Sequence, residues 1–185
     1  SCKGCKRDCP VGVDMAAYKT EFLAQRYRGK VRPASHYAMG ALPRWLRLVG
    51  RLPARVVDVL NAAARGPLGA LAKRAGGITP ERPIPRIARR PFTRVWDASS
   101  LTLNVSDDAS HTSRGRLLLW PDTFSNHFDP HLVEDAVAVL TRLGYAVELP
   151  PREVCCGLTW TSTGQVDAAR RVLRRSLRTV APWLA

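Results

Sequence analysis

Apolar positions follow helical spacing through the first half of the chain and change to short continuous runs in its last third. From Val13 to Leu23, Met15, Tyr18, Phe22 and Leu23 recur at helical intervals behind Asp14, a residue suited to capping a helix. Between 31 and 78, two apolar clusters (Trp45, Leu46, Leu48, Val49 and Val56, Val57, Val59, Leu60) alternate with Pro33, Pro43, Pro53 and Pro67. Each proline sits where the first turn of a short helix tolerates a missing N–H, and Gly76-Gly77 closes the series. Residues 79–98, rich in proline and arginine, predict an extended connector lying over a surface. The polar stretch 104–115 predicts a mobile loop.

The rhythm then changes. Arg116-Leu117-Leu118-Leu119-Trp120 reads as a buried parallel strand. Pro130 to Leu143 reads as a helix, with Leu132, Val133, Ala136, Val137, Leu140 and Leu143 on one face and Gly144 as its stop. Tyr145 to Leu149 gives a second strand, ended by Pro150-Pro151. A last helix from about Gln165 to Val180 turns Val166, Ala169, Leu173, Leu177 and Val180 inward and most of its arginines outward. Strand, helix, strand, loop and helix in this order predict a parallel sheet with right-handed crossovers. Ligands bind at the carboxyl ends of such strands, so Pro121–Pro130 and the loop after the second strand are expected at one edge. The fold class is α+β, a helical N-terminal part followed by a small α/β parallel-sheet part.

Composition adds an electrostatic constraint. Among 185 residues, 29 Lys and Arg stand against 15 Asp and Glu, a net charge of +14. That balance suits an acidic partner such as nucleic acid, an anionic membrane face or an acidic protein, although Arg-rich coding alone would produce it too. The arginines are spread over helical stretches, without RNA-binding aromatic motifs or zinc-finger spacing, which argues against nucleic acid. No run of 18 apolar residues exists to form a membrane span.

The chemistry lies in five cysteines, gathered as Cys2, Cys5, Cys9 and as Cys155, Cys156. A secreted disulfide framework would distribute its cysteines, in even number, over a smaller chain. Two tight clusters without a leader-like start point instead to metal ligands in a reducing compartment, the cytoplasm or the inner face of a membrane. Cys2-x2-Cys5-x3-Cys9-Pro10 matches the last three cysteines of the ferredoxin run C-x2-C-x2-C-x3-C-P, whose first member would fall two positions before Ser1. Gly4 permits a tight turn, and Lys3, Lys6 and Arg7 set positive charge beside anionic thiolates. C-x2-C also occurs in zinc sites; the C-x3-C-P ending favours iron–sulfur. Cys155-Cys156-Gly157 is open to three readings beyond packing: cluster ligands, a vicinal disulfide, or a redox pair. His127 and His131, flanking Asp129-Pro130 near Asp122, read as metal or carboxylate ligands or as capping residues of the following helix. Trp160 is placed to shield a cluster or simply to pack.

Cys5-Lys6-Arg7-Asp8-Cys9-Pro10-Val11-Gly12-Val13-Asp14-Met15-Ala16-Ala17-Tyr18-Lys19 resembles the ferredoxin-type segment of FAD-linked oxidases with a fused iron–sulfur half, a group that includes D-lactate dehydrogenase and glycolate oxidase-like proteins. Leu119-Trp120-Pro121-Asp122-Thr123-Phe124-Ser125-Asn126-His127-Phe128 and Cys155-Cys156-Gly157-Leu158-Thr159-Trp160 resemble the cysteine-rich CCG domain of the same family. That domain also occurs in the iron–sulfur components of glycolate oxidase, anaerobic glycerol-3-phosphate dehydrogenase and heterodisulfide reductase.

The resemblance implies a parent enzyme that oxidises a 2-hydroxy acid at FAD, with this chain holding the relay and not the flavin site. It implies 1–30 as the tail of a ferredoxin-type 4Fe-4S segment, 31–98 as a helical region and connector, and 99–185 as a partial CCG domain. The implied metal ligands are Cys2, Cys5, Cys9, Cys155 and Cys156, with His127, Asp122 and Trp160 beside them. The CCG pattern's earlier cysteine has no counterpart at Trp120 to Thr123, and its following C-x2-C is not reached before Ala185. The 4Fe-4S ligand set is therefore expected to be incomplete within the chain. Expected partners are an FAD-binding domain or subunit, an electron acceptor such as a quinone or carrier protein, and a peripheral membrane contact. The competing expectation is a non-redox module with structural zinc and an Arg-rich face for nucleic acid or an acidic partner.

Overall fold

The computed structural model describes residues 9–79, 81–96 and 114–184. Cys2, Cys5 and most of the polar stretch 104–115 lie outside the described residues. The architecture is α+β, mostly helical with one two-stranded parallel sheet. In chain order the helices are α1 Met15–Arg26, α2 Ala34–Gly40, α3 Leu42–Val49, α4 Ala54–Arg65, α5 Pro67–Ala75 and α6 Phe92–Val95. Then come β1 Arg116–Leu118, α7 Thr123–Phe128, α8 Pro130–Arg142, β2 Ala146–Glu148, α9 Leu158–Ser162 and α10 Val166–Val180, closed by a 3-10 turn at Ala181–Trp183. Among the described residues the chain forms two compact units. The first gathers residues up to Leu48 with Ala62–Ile84 and Cys155–Arg175; the second gathers Val49–Asn61, Pro85–Val154 and Ser176 onward.

The second unit is built on apolar contact. Phe92, Val133 and Val137 form its core, only 3%, 4% and 1% exposed, and Trp96, Leu119, Val147 and Leu149 pack around them. The strands pair in parallel with Leu117 opposite Val147, as the strand–helix–strand order predicts. At the sheet Arg116 Nη2 donates to Glu148 Oε2 at 2.8 Å, and Trp183 Nε1 donates to the same oxygen at 2.9 Å. The connector differs from its expectation at one end. Pro91 and Phe92 are buried and start α6, because a large ring after a proline-fixed turn removes more apolar area from water than an extended surface path would. Upstream, Asn61 pairs with the connector backbone, Nδ2 donating to Ile87 O at 2.8 Å and Oδ1 accepting from Ile87 N at 2.9 Å.

In the first unit, α9 packs against both α1 and α2, and much of the joining is done by polar side chains on backbone carbonyls. Arg32 donates to Thr163 O and Gly164 O at 2.8 and 2.9 Å. Thr159 Oγ1 donates to Gly40 O at 2.8 Å, and Gln165 Nε2 to His36 O at 2.8 Å. These carbonyls end α9 and line α2, and the bonds satisfy acceptors that a helix end leaves open. Gly164, at φ +68°, lies so close to Leu23 and Ala24 that a Cβ would collide with their backbone.

Helix positions are as the proline, glycine and cap signals predict. Asp14 Oδ1 accepts from Ala17 N at 3.0 Å ahead of α1, Pro67 opens α5, and Gly144 follows α8 at φ +87°. The buried faces are another matter. Tyr18 and Phe22 are 66% and 57% exposed, so the regular stripe on α1 faces outward. On α10 the inward residues include Ser176 and Val180, while Leu173 and Leu177 are exposed. On α8 Val133 and Val137 are buried but Leu132 and Leu143 are not. Spacing marks an amphipathic face; what packs on it depends on neighbours the spacing does not specify.

Candidate functional site

The loop after β2 carries the second cysteine pair. Pro150-Pro151 stops the strand, since neither residue can donate to a ladder. Cys155 is buried, Cys156 is exposed, and Gly157 takes a left-handed φ of +74° as α9 begins. The conformation calls for glycine, and a Cβ there would come within 3.3 Å of the Ala169 carbonyl oxygen. With that turn in place the Gly157 backbone N–H points at Cys155 Sγ, 3.4 Å away. The two sulfurs are thiols in the structure, with no vicinal disulfide between them.

Cys9 is half-buried in the turn ahead of α1, where its carbonyl accepts from Gly12 N at 3.0 Å. Gly12 supplies the positive φ, +67°, that this turn requires. Cys9, Cys155, Cys156 and Trp160 all belong to the first unit. The helix that starts at each cysteine segment, α1 after Cys9 and α9 after the pair, packs on the other. Trp160 is buried within α9 at 3% exposure. Among the described residues no three Cys, His, Asp or Glu side chains converge as a metal site. Cys9, Cys155 and Cys156 are the sulfur donors among the described residues, and sulfur is a ligand type that thiophilic metals take.

His127 and Asp122 belong to the second unit. Asp122 caps α7, accepting from Phe124 N at 2.7 Å, Ser125 N at 3.3 Å and the Ser125 hydroxyl. Burial pushes its carboxyl up, and the hydrogen bonds from Ser125 and Phe124 together outweigh this, leaving it below the usual range. His131 is exposed and pairs with Glu134 at 3.0 Å in the first turn of α8. His127 is only 2% exposed, its Nε2 lies 3.5 Å from Glu153, and its Nδ1 is buried with no hydrogen-bond partner among the described residues. Glu153 also accepts from Thr93 Oγ1 at 3.4 Å. Sequence reasoning misses Glu153; an acidic residue between a Pro-Pro stop and a cysteine pair is the signal that could have found it. Arg32 and Gln165 carry no such signal, because their partners are main-chain atoms 129 to 132 residues away.

Two curated relatives match the chain. D-2-hydroxyglutarate dehydrogenase of Pantoea ananatis (strain AJ13355) is 22% identical over 183 residues, which is 98% of this chain and 17% of the relative. D-2-hydroxyglutarate dehydrogenase of Escherichia coli (strain K12) is 22% identical over 153 residues, 82% of this chain and 15% of the relative. The chain thus spans about a sixth of the length of the relatives it matches. No family model matches the chain, and no solved structure matches it. The comparison supports a distant relationship to oxidoreductases of this kind along nearly the whole chain.

Proposed function

We propose that this chain is an electron-relay segment of an FAD-linked oxidoreductase acting on a 2-hydroxy acid. One observation carries the reading: similarity to two D-2-hydroxyglutarate dehydrogenases extends over 98% of the chain in the better-covered case, a stretch that takes in Cys5-x3-Cys9-Pro10 and Cys155-Cys156-Gly157. A 2-hydroxyglutarate is a 2-hydroxy acid, the substrate class that the resemblance to FAD-linked oxidases implies.

In this reading Cys2, Cys5, Cys9, Cys155 and Cys156 hold 4Fe-4S iron as thiolates, with further ligands from elsewhere in the enzyme. Such a cluster, when bound, stores and passes single electrons. The chain's own groups prepare the ligands. The Gly157 N–H fixes the position of the Cys155 sulfur in its loop, Lys3, Lys6 and Arg7 offset negative charge at the first cluster of cysteines, and Trp160 is a buried apolar residue of α9. FAD, carried outside this segment, would supply the two-electron oxidation of the substrate, and a quinone or carrier protein would serve as the final acceptor. The enzyme works in the cytoplasm or at the inner face of the membrane.

The test is metal and sulfide analysis of the anaerobically purified full-length protein, with electron paramagnetic resonance after reduction. Iron with acid-labile sulfide is expected, together with reduction of that iron on adding D-2-hydroxyglutarate. Cys5→Ser and Cys9→Ser should lower the iron content. Stoichiometric zinc without labile sulfide would overturn the reading and favour a structural metal site.

A further inference from the structure

A cleft of about 470 Å³ in the first unit lies among the C-terminal end of α1, the loop after it and the start of α10. Its lining includes four arginines, Arg28, Arg32, Arg170 and Arg171, against two carboxylates, Glu21 and Asp167. Both carboxylates are already engaged. Glu21 accepts from Gln25 Nε2 at 2.6 Å, and Asp167 lies 3.8 Å from Arg170. The Arg28 and Arg171 side chains have no ion-pair or hydrogen-bond partner among the described residues. Arg32 is held in place: it donates to Thr163 O and Gly164 O, and its guanidinium lies 5.3 Å from the ring centre of Tyr27, another wall residue. Those two bonds use two of its five N–H donors.

We infer that this cleft binds a small oxyanion carrying two or more negative charges, a dicarboxylate or a phosphate-bearing metabolite, through Arg28, Arg32 and Arg171. Like charges gathered in a concavity focus positive potential and repel one another until an anion arrives. Guanidinium forks match carboxylate and phosphate oxygens in pairs. The volume falls in the range of small-molecule sites, about 300–1,000 Å³. A second group senses the same field. The His36 imidazole stands edge-on to Tyr27 at 5.3 Å and is held below its ordinary pKa, first by burial and then by Arg32 and Lys19. The inference uses none of the cysteines and does not depend on the relay reading.

Isothermal titration of the chain with inorganic phosphate and, separately, with glutarate tests it, ionic strength being held constant with sodium chloride. Saturable one-site binding of either probe is expected; phosphate alone would indicate a phosphate ester as the ligand, glutarate alone a dicarboxylate. Arg28→Ala and Arg171→Ala leave no internal partner behind, so each should retain the wild-type melting temperature and weaken binding about tenfold, the loss of one charge-assisted contact. Heats no larger than those of added chloride would overturn the inference. So would a double variant that binds within twofold of wild type.

Discussion

The two compact units are held together by different forces. In the second, Phe92, Val133 and Val137 share a dry core beside a parallel strand pair. In the first, Arg32, Thr159 and Gln165 reach main-chain carbonyls of distant segments. Apolar contact is non-directional and tolerates substitutions that keep volume. A side chain clamped to a carbonyl is directional, and its loss leaves a polar atom with no partner. The contrast suits the relay role proposed for the first unit, since cysteine loops need fixed backbone geometry more than they need a large core.

Four substitutions or conditions test the contrast. Phe92→Ala should have the largest effect, a loss of about 3–5 kcal/mol from cavity and transfer terms together, read from the midpoint of urea denaturation. A loss below about 1 kcal/mol would mean that the second unit does not rest on that core. Arg32→Met keeps much of the apolar stem and removes both carbonyl bonds. It should cost about 2–3 kcal/mol. A loss below about 0.5 kcal/mol would mean that the two carbonyl bonds do not hold the first unit.

Gly157→Ala should cost about 1–2 kcal/mol from the left-handed backbone alone, with added crowding against Ala169. It should also raise the reactivity of the Cys155 thiol towards a maleimide, because loosening the turn exposes a sulfur that is buried in the native loop, measured against Cys156 as the internal reference. Unchanged Cys155 reactivity would show that the N–H on its sulfur does not organise the loop. The smallest effect is a pH dependence. The Arg116 hydrogen bond, followed by that from Trp183, holds the Glu148 carboxyl below its usual range. A carboxyl with a depressed folded-state pKa stabilises the fold above its unfolded value, about 4.3, and that contribution is lost as pH falls through the folded value. Stability should therefore decline below about pH 4, and Glu148→Gln should flatten part of that decline in acid titrations followed by circular dichroism.

Much of the element order was legible in the sequence because it depends on local chemistry. Asp14 caps a helix with its own side chain, Pro67 opens one, and Gly144 stops one in a backbone conformation that other residues resist. The strands at Leu117 and Val147 declared themselves as short apolar runs between turn signals. The candidate ligands were equally legible, since C-x2-C-x3-C-P and Cys-Cys-Gly are contiguous patterns whose chemistry needs only those residues at that spacing.

The short helices Phe92–Val95, Thr123–Phe128 and Leu158–Ser162 fall in stretches that read as connector or loop. What the sequence by itself determined was the order of the longer helices and the two strands, and that the strands run parallel. Each follows from interactions within a few residues, or from the connection between successive elements. Only the tertiary structure decided which apolar faces are covered: Tyr18 and Phe22 stay exposed while Phe92, in a stretch that reads as a surface connector, is core. It also decided that α9 joins α1, that Glu153 meets His127, and that arginines from two ends of the chain line one cleft. These are contacts between residues far apart in sequence, set by which surfaces exclude water together, and local spacing cannot specify them. The charge of +14 is a property of the sequence; the meeting of Arg28 and Arg32 with Arg170 and Arg171 in one cleft is a property of the fold.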